Sequence, residues 1–246
     1  LSPTGIDAKS YGIEATFVDA TSLDAIKKAV RPGQTKMIWL ETPANPLWSI
    51  SDIKAASTIA HEAGALLAVD STVATPLLTR PLEHGADVVM HAATKYLNGH
   101  SDVLAGALVF PKKDAFYDRA VRTRKMLGGI LGPFEASLLL RGMRTLHVRV
   151  AHQSMAAQEI ARHFARDPRI VQVLYPGLPG FAGHEIAARQ MSGGFGGMLS
   201  VRVKAGEAAA IRAAANVKIW KRATSLGGVE SLIEHRRSIE GDGSPC

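Results

Sequence analysis

The sequence predicts an α/β chain: a mostly parallel sheet carrying helices, followed by a smaller α+β unit. Three observations carry this. Residues 65–70 and 87–90 are apolar runs with no polar alternation, the pattern of parallel strands covered on both faces. Residues 37–70 read strand, helix, strand, a parallel crossover unit. From about residue 114 the helices lengthen, and after Asp167 only short strands follow.

In order, residues 1–34 begin irregularly, then give a short strand at 15–18 and a helix over about 22–30. Asp19 and Thr21 offer its caps, and Pro32-Gly33 closes it. Met37-Ile38-Trp39-Leu40 reads as a buried strand, and Pro43 and Pro46 force an extended loop at its end. Ser51-Asp52 caps the next helix, which Ile53, Ala56, Ala60 and Ala63 stripe and Gly64 ends. The strand over 65–70 finishes on Asp70. Residues 76–85 form a loop with one helical turn, and the strand over 87–90 then runs into Lys95. A strand at 105–110 carries small residues that admit a neighbouring backbone.

Helices are predicted over about 114–126, 133–144 and 147–166. Val150, Ala157, Ala161 and Phe164 stripe the last of these, which bridges to the second unit. The domains are therefore set at 1–146 and 147–246. The second contains strands at 170–174, 197–203 and 217–225 and helices at 184–190 and 207–215. The glycine run over 191–198 has no lysine after it and leads into a strand. It reads as a flexible entry to the small sheet and not as a phosphate loop.

Composition excludes several function classes. The 246 residues are 46% hydrophobic, enough for a proper core, and no apolar run approaches the roughly 20 residues of a membrane span. The net charge of +7 raises nucleic acid as a partner, yet aromatic residues are only 6%. Neither Arg119, Arg122, Arg124 and Lys125 nor His235-Arg236-Arg237 is interleaved with stacking rings, so no nucleic-acid role is expected. A single cysteine, Cys246, leaves no intramolecular disulfide and fits a reducing cytoplasm. Leu1 in place of Met, with no basic-then-apolar leader, suggests an internal piece of a longer chain.

Chemistry concentrates at two strand ends. Lys95 follows the strand over 87–90, where its backbone is held and its amine faces a partly dry cleft. Desolvation there favours the neutral amine, which can attack a carbonyl. Asp70 lies at the carboxyl end of its strand, where open α/β sheets bind ligands, and a poorly solvated carboxylate there needs a cationic partner. A loop cap or a metal-binding acid would also suit Asp70 alone. Paired with a Schiff-base lysine, it describes a pyridoxal phosphate site, with the lysine on the aldehyde and the aspartate on the ring nitrogen.

Four stretches carry a resemblance: Glu41-Thr42-Pro43-Ala44-Asn45-Pro46, Val69-Asp70-Ser71-Thr72, Ala93-Thr94-Lys95-Tyr96-Leu97-Asn98-Gly99-His100-Ser101-Asp102, and Ser225-Leu226-Gly227-Gly228-Val229-Glu230-Ser231-Leu232. In this order they resemble the cystathionine synthase/lyase family, the pyridoxal-phosphate enzymes of transsulfuration. The resemblance implies the fold type I large domain with a smaller α+β domain, here truncated at both ends. It also implies a homotetramer in the cytoplasm acting on small sulfur amino acids, with no metal. It implies that Lys95 holds the cofactor and shuttles protons, and that Asp70 pairs with the pyridine nitrogen. Thr94 would bind the phosphate, Thr72 would sit beside the ring, and Asn45 would meet the phenolic oxygen. Ser225 and Leu226 would help hold the substrate carboxylate. An acyl-homoserine sulfhydrylase, a methionine γ-lyase or an inactive fragment are the alternatives.

The chain departs from the family pattern in places. Ala92 replaces a usual serine, losing one phosphate hydrogen bond worth about 1.5–3 kcal/mol. The upstream phosphate loop and stacking tyrosine, and the downstream carboxylate-clamping arginine, do not lie in these residues. Thr224 stands where many cystathionine-handling members are acidic, which implies relaxed selectivity at the substrate's far end. Asp242 and Cys246 depart from the usual tail.

Overall fold

The structure, a computed structural model, describes residues 11–241. Asp242 and Cys246 lie outside the described residues. Helix α1 (Leu23–Ala29) is capped by Ser22, whose side chain accepts from the Ala25 amide. The expected caps Asp19 and Thr21 instead bond to each other one turn earlier. The strand predicted over 15–18 does not form. Among the described residues no strand lies beside it to pair with, and Phe17 is exposed.

The main sheet is built from β1 (Met37–Glu41), β2 (Leu66–Asp70), β3 (Val88–Ala92) and β4 (Gly106–Val109), in that order across the sheet. The first three are parallel, and β4 closes the sheet antiparallel to β3. Between β1 and β2 runs α2 (Ile53–Glu62), capped by Asp52 through the Ala55 amide at 3.0 Å. Its face of Ile53, Ala56, Ile59 and Ala60 packs on Leu40, Leu67, Val69 and Val89, the core cluster under the sheet. The parallel crossover read from the sequence is therefore present. Within the described residues the strand expected to be buried is only partly covered: Leu40 is buried, Met37 and Trp39 are about two-fifths exposed, and β1 is paired with β2.

After β2, α3 (Thr75–Leu78) and a 3₁₀ turn over Pro81–His84 fill the predicted loop. Beyond β4 come α4 (Ala115–Leu127), α5 (Pro133–Met143) and α6 (Leu146–Phe164), close to the predicted spans. Helix α6 buries Leu146, Val150, Ser154, Ala157 and Ala161. Its first two join Ala93, Tyr96 and Leu97 in a second core cluster, directly beneath the Lys95 turn.

The last third is the expected α+β arrangement. Antiparallel β5 (Ile170–Leu174) and β6 (Ser200–Val203) flank α7 (His184–Gln190), and α8 (Glu207–Ala215) follows. The strand expected over 217–225 shrinks to β7 (Lys221–Arg222), which pairs in parallel with β8 (Leu232–Ile233) before α9 (Arg236–Glu240). The glycine run over 191–198 does enter β6, but it is tightly packed. The Gly196 amide donates to Ser154 Oγ at 2.8 Å, and its carbonyl accepts from buried Tyr175. Among the described residues no helix is long and apolar enough to cross a membrane.

Trp48 ties the loop after β1 to this last third. It is 2% exposed, its indole N–H donates to Ser200 Oγ at 2.8 Å, and Ser200 Oγ donates to the Pro46 carbonyl. Trp48→Ala should therefore cost the full-length protein about 3–5 kcal/mol in urea unfolding, as for a large buried aromatic. A loss under about 1 kcal/mol would mean that this junction carries little of the fold.

Candidate active site

The parallel register places three strand ends side by side. Glu41 pairs with Asp70 across β1 and β2, and Asp70 with Met90 across β2 and β3. Two further bonds extend the ladder past the strands, from the Thr42 amide to the Asp70 carbonyl and from the Ser71 amide to the Met90 carbonyl. A carboxylate, a second carboxyl and, one residue beyond Met90, the buried His91 thus meet at the carboxyl edge of the sheet.

Asp70 Oδ1 accepts from the Thr72 amide at 2.9 Å, and Thr72 Oγ1 accepts from the Ala92 amide at 2.8 Å. Thr72 therefore bridges the ends of β2 and β3. The charges shape one another. Burial, then the charge of Asp70, raises the carboxyl of Glu41 above its usual range. Burial holds the imidazole of His91 below its ordinary value, against the pull of Asp70. His91 is 5% exposed, and its Nδ1 is buried without a hydrogen-bond partner among the described residues.

A folded-state value lowered for His91 has a definite sign. Its contribution to stability is present above the ordinary 6.5 and is lost as the pH falls from there through the lowered folded value. The cofactor-free full-length protein should lose stability as the pH falls below the ordinary 6.5, and His91→Phe should flatten that slope. Equal slopes in urea titrations of parent and variant would exclude the assignment.

Lys95 sits in the turn that follows β3. Its amide donates to the Ala92 carbonyl at 3.0 Å, and its carbonyl accepts from the Gly99 amide at 2.8 Å. The backbone is thus held on both sides, as the sequence suggested. Its Nζ donates to Ser225 Oγ at 3.0 Å, joining positions 130 residues apart. Ser225 itself has φ +97°, outside the usual range for a residue with a Cβ. The loop around it is pinned to the lysine turn: the Val229 amide donates to the Gly99 carbonyl, and Gln153 Nε2 donates to the Gly228 carbonyl. Gly227 lies so close to the Tyr96 backbone nitrogen that a Cβ would sit 2.6 Å from it. Leu226 packs in the cluster of Tyr96 and Val150.

The remaining predicted residues fall at different distances from this centre. Thr94 Oγ1 accepts from the Ala105 amide at 2.9 Å and donates weakly to its carbonyl at 3.3 Å, so its hydroxyl anchors the turn to the segment before β4. Asn45 reaches the cluster through its backbone N–H, which donates to Glu41 Oε1 at 3.4 Å. Thr224 is exposed at the loop's edge. Glu41, His91, Arg149 and Gln153 received no role from the sequence. For Glu41 the signal was available, since it ends its strand just as Asp70 does; for Arg149 and Gln153 none existed before α6 was placed.

The donor set suits pyridoxal phosphate at two of its ends. Lys95 could offer an amine to an aldehyde, and Asp70, on the neighbouring strand, an anion to a pyridinium nitrogen. At the phosphate end Ala92 offers no hydroxyl, and Thr94 has one bond to surrender. Among the described residues no group of histidine, cysteine and carboxylate side chains could hold a metal ion.

Comparison with known proteins decides the family. The profile described as "Cys/Met metabolism PLP-dependent enzyme" matches residues 6–241. The chain belongs to this family. It is 47% identical over 225 residues to cystathionine gamma-synthase of Mycobacterium tuberculosis, covering 92% of this chain and 57% of that protein. It is 42% identical to L-methionine gamma-lyase of Fusobacterium nucleatum, over 93% of this chain and 58% of the relative. The crystal structure of metB from Corynebacterium glutamicum superposes with a TM-score of 0.91 at 40% identity, covering 97% of this chain and 61% of that one. The chain thus spans less than two thirds of the length of these relatives. Pyridoxal phosphate is the family's cofactor, and the α/β fold with a mostly parallel sheet agrees with the sequence reading.

Proposed function

We propose that the whole protein is a transsulfuration enzyme that uses pyridoxal phosphate to eliminate or replace a sulfur-bearing group of cystathionine or a related amino acid. The observation that carries this reading is the meeting of Lys95 Nζ with Ser225 Oγ at the sheet edge that also bears Asp70. When bound, the cofactor supplies an electron sink for a carbanion at the substrate's α-carbon. Lys95 would hold the aldehyde, and its amine, when free, would move a proton at the substrate's α-carbon. Asp70 keeps the ring nitrogen positively charged. Thr94 would offer its hydroxyl, now on the Ala105 carbonyl, to the phosphate, and Thr72 and Asn45 would help hold the ring and its phenolic oxygen. Ser225 and Leu226 shape the place for the substrate carboxylate.

The same reading has the protein act in the cytoplasm as a homo-oligomer, a tetramer by family resemblance. Apolar side chains exposed on and between α4 and α5, including Met126, Leu127, Ile130 and Phe134, support such burial against another surface. Thr224, short and neutral, supports permissive use of substrates. An ionic contact to the far end would be worth on the order of 1–3 kcal/mol, so its loss relaxes selectivity tenfold or more.

Product analysis on the full-length protein tests the function. Cystathionine should give cysteine with 2-oxobutyrate, and smaller sulfur amino acids should also turn over. Pyruvate with homocysteine would mean cleavage at the β-carbon instead. Strict use of an acylated homoserine without cystathionine cleavage would place the protein on the synthase side and end the permissive reading.

A further inference from the structure

We infer that Arg149 is a positioning residue, which fixes the cofactor lysine by holding the carbonyls of its turn. The inference rests on the reading of Lys95 given above. From the second turn of α6, Arg149 Nη1 donates to the Tyr96 carbonyl at 2.9 Å, and Nη2 donates to the Gly142 carbonyl at 2.8 Å and, more weakly, to that of Leu97 at 3.5 Å. Its Nε donates to Thr145 Oγ1 at 3.1 Å. Among the described residues it has no carboxylate partner, and burial lowers its affinity for its proton. A half-buried guanidinium whose hydrogen bonds are spent on backbone carbonyls is costly unless those carbonyls need it.

They do need it. The turn over residues 93–99 closes with bonds from the Asn98 amide to Ala93 and from the Gly99 amide to Lys95. The carbonyls of Tyr96 and Leu97, next in line, have no following turn of helix to accept from, and the guanidinium takes that place. Two glycines make room for the arrangement. A Cβ at Gly99 would overlap the guanidinium, and one at Gly142 would overlap the Asn98 carbonyl. The planar fork therefore joins the α5–α6 corner to the residues immediately after Lys95. A point charge on a flexible stem, as in lysine, cannot span the same carbonyls.

The test uses the full-length, cofactor-loaded enzyme with Arg149→Lys and Arg149→Met. Displacing a reacting group by about 1 Å costs up to about 10²-fold. Arg149→Met should lower kcat about 10²-fold and Arg149→Lys about 10-fold, with KM within about twofold of the parent. In both variants, amide hydrogen exchange should accelerate at Asn98 and Gly99 but not in β2 or β3. The rate at which pyridoxal phosphate reattaches to the cofactor-free protein should fall in the same order. Parent-like kcat and exchange in Arg149→Met would overturn the proposal, and so would parent-like values in Arg149→Lys if the Met variant does not fold. Lys95→Ala run in parallel separates the two levels: covalent cofactor retained there would remove the Lys95 reading itself, whatever Arg149 does.

Discussion

Lys95→Ala in the full-length protein should abolish covalent retention of the cofactor and reduce turnover by about 10³-fold or more. Proton transfer by a positioned amine is alone worth roughly 10²–10⁴. The same side chain also carries the covalent attachment, which no neighbour can replace. Ser225, its hydrogen-bond partner at 3.0 Å, has a hydroxyl that is not basic at neutral pH. The fold should survive, because Lys95 is only partly buried and the turn is held by backbone bonds and by Arg149. Steady-state kinetics beside circular dichroism checks both halves. A folded variant that keeps more than about a tenth of the parent's turnover would mean that another group moves the α-proton.

Asp70→Ala should lower kcat on the order of 10²–10³-fold, the scale for removing one preorganised electrostatic partner. Without the carboxylate the ring nitrogen would be held less firmly in its protonated form, and the electron sink that the cofactor supplies would weaken. The neighbours report on the change independently of turnover. Removing the Asp70 charge should let Glu41 ionise more readily, and should lower the proton affinity of His91 further. The variant also loses the bond from the Thr72 amide, so Asp70→Asn, which keeps an oxygen there, serves as the structural control. Turnover in Asp70→Ala equal to that of the parent would remove the ring-nitrogen role.

The legible parts of the molecule were those where local pattern and burial agree. The unbroken apolar run into Asp70, the stripe of Ile53, Ala56 and Ala60, and the α6 stripe each named an element and its buried face. Lys95 and Asp70 could be read as strand-end groups because the parallel order put both at one edge. Other expectations failed for reasons of context. β1 looks like a buried strand, and among the described residues it pairs with β2 alone; which strands pair is encoded by no local pattern. Residues 15–18 have strand propensity with no partner among the described residues, and residues 217–225 keep only the pair that finds β8. Long-range partners were the least visible. Nothing in the letters announces that Arg149 caps a turn more than 50 residues upstream, or that Gln153 holds the loop of Ser225.

The most direct measurement is to reduce the purified, full-length protein with borohydride and locate the pyridoxyl group by peptide mass spectrometry. The account predicts a visible absorption band that reduction removes, and a single modified residue, Lys95. A pyridoxyl group on any other lysine, or no modification in a protein that turns over cystathionine, would contradict it.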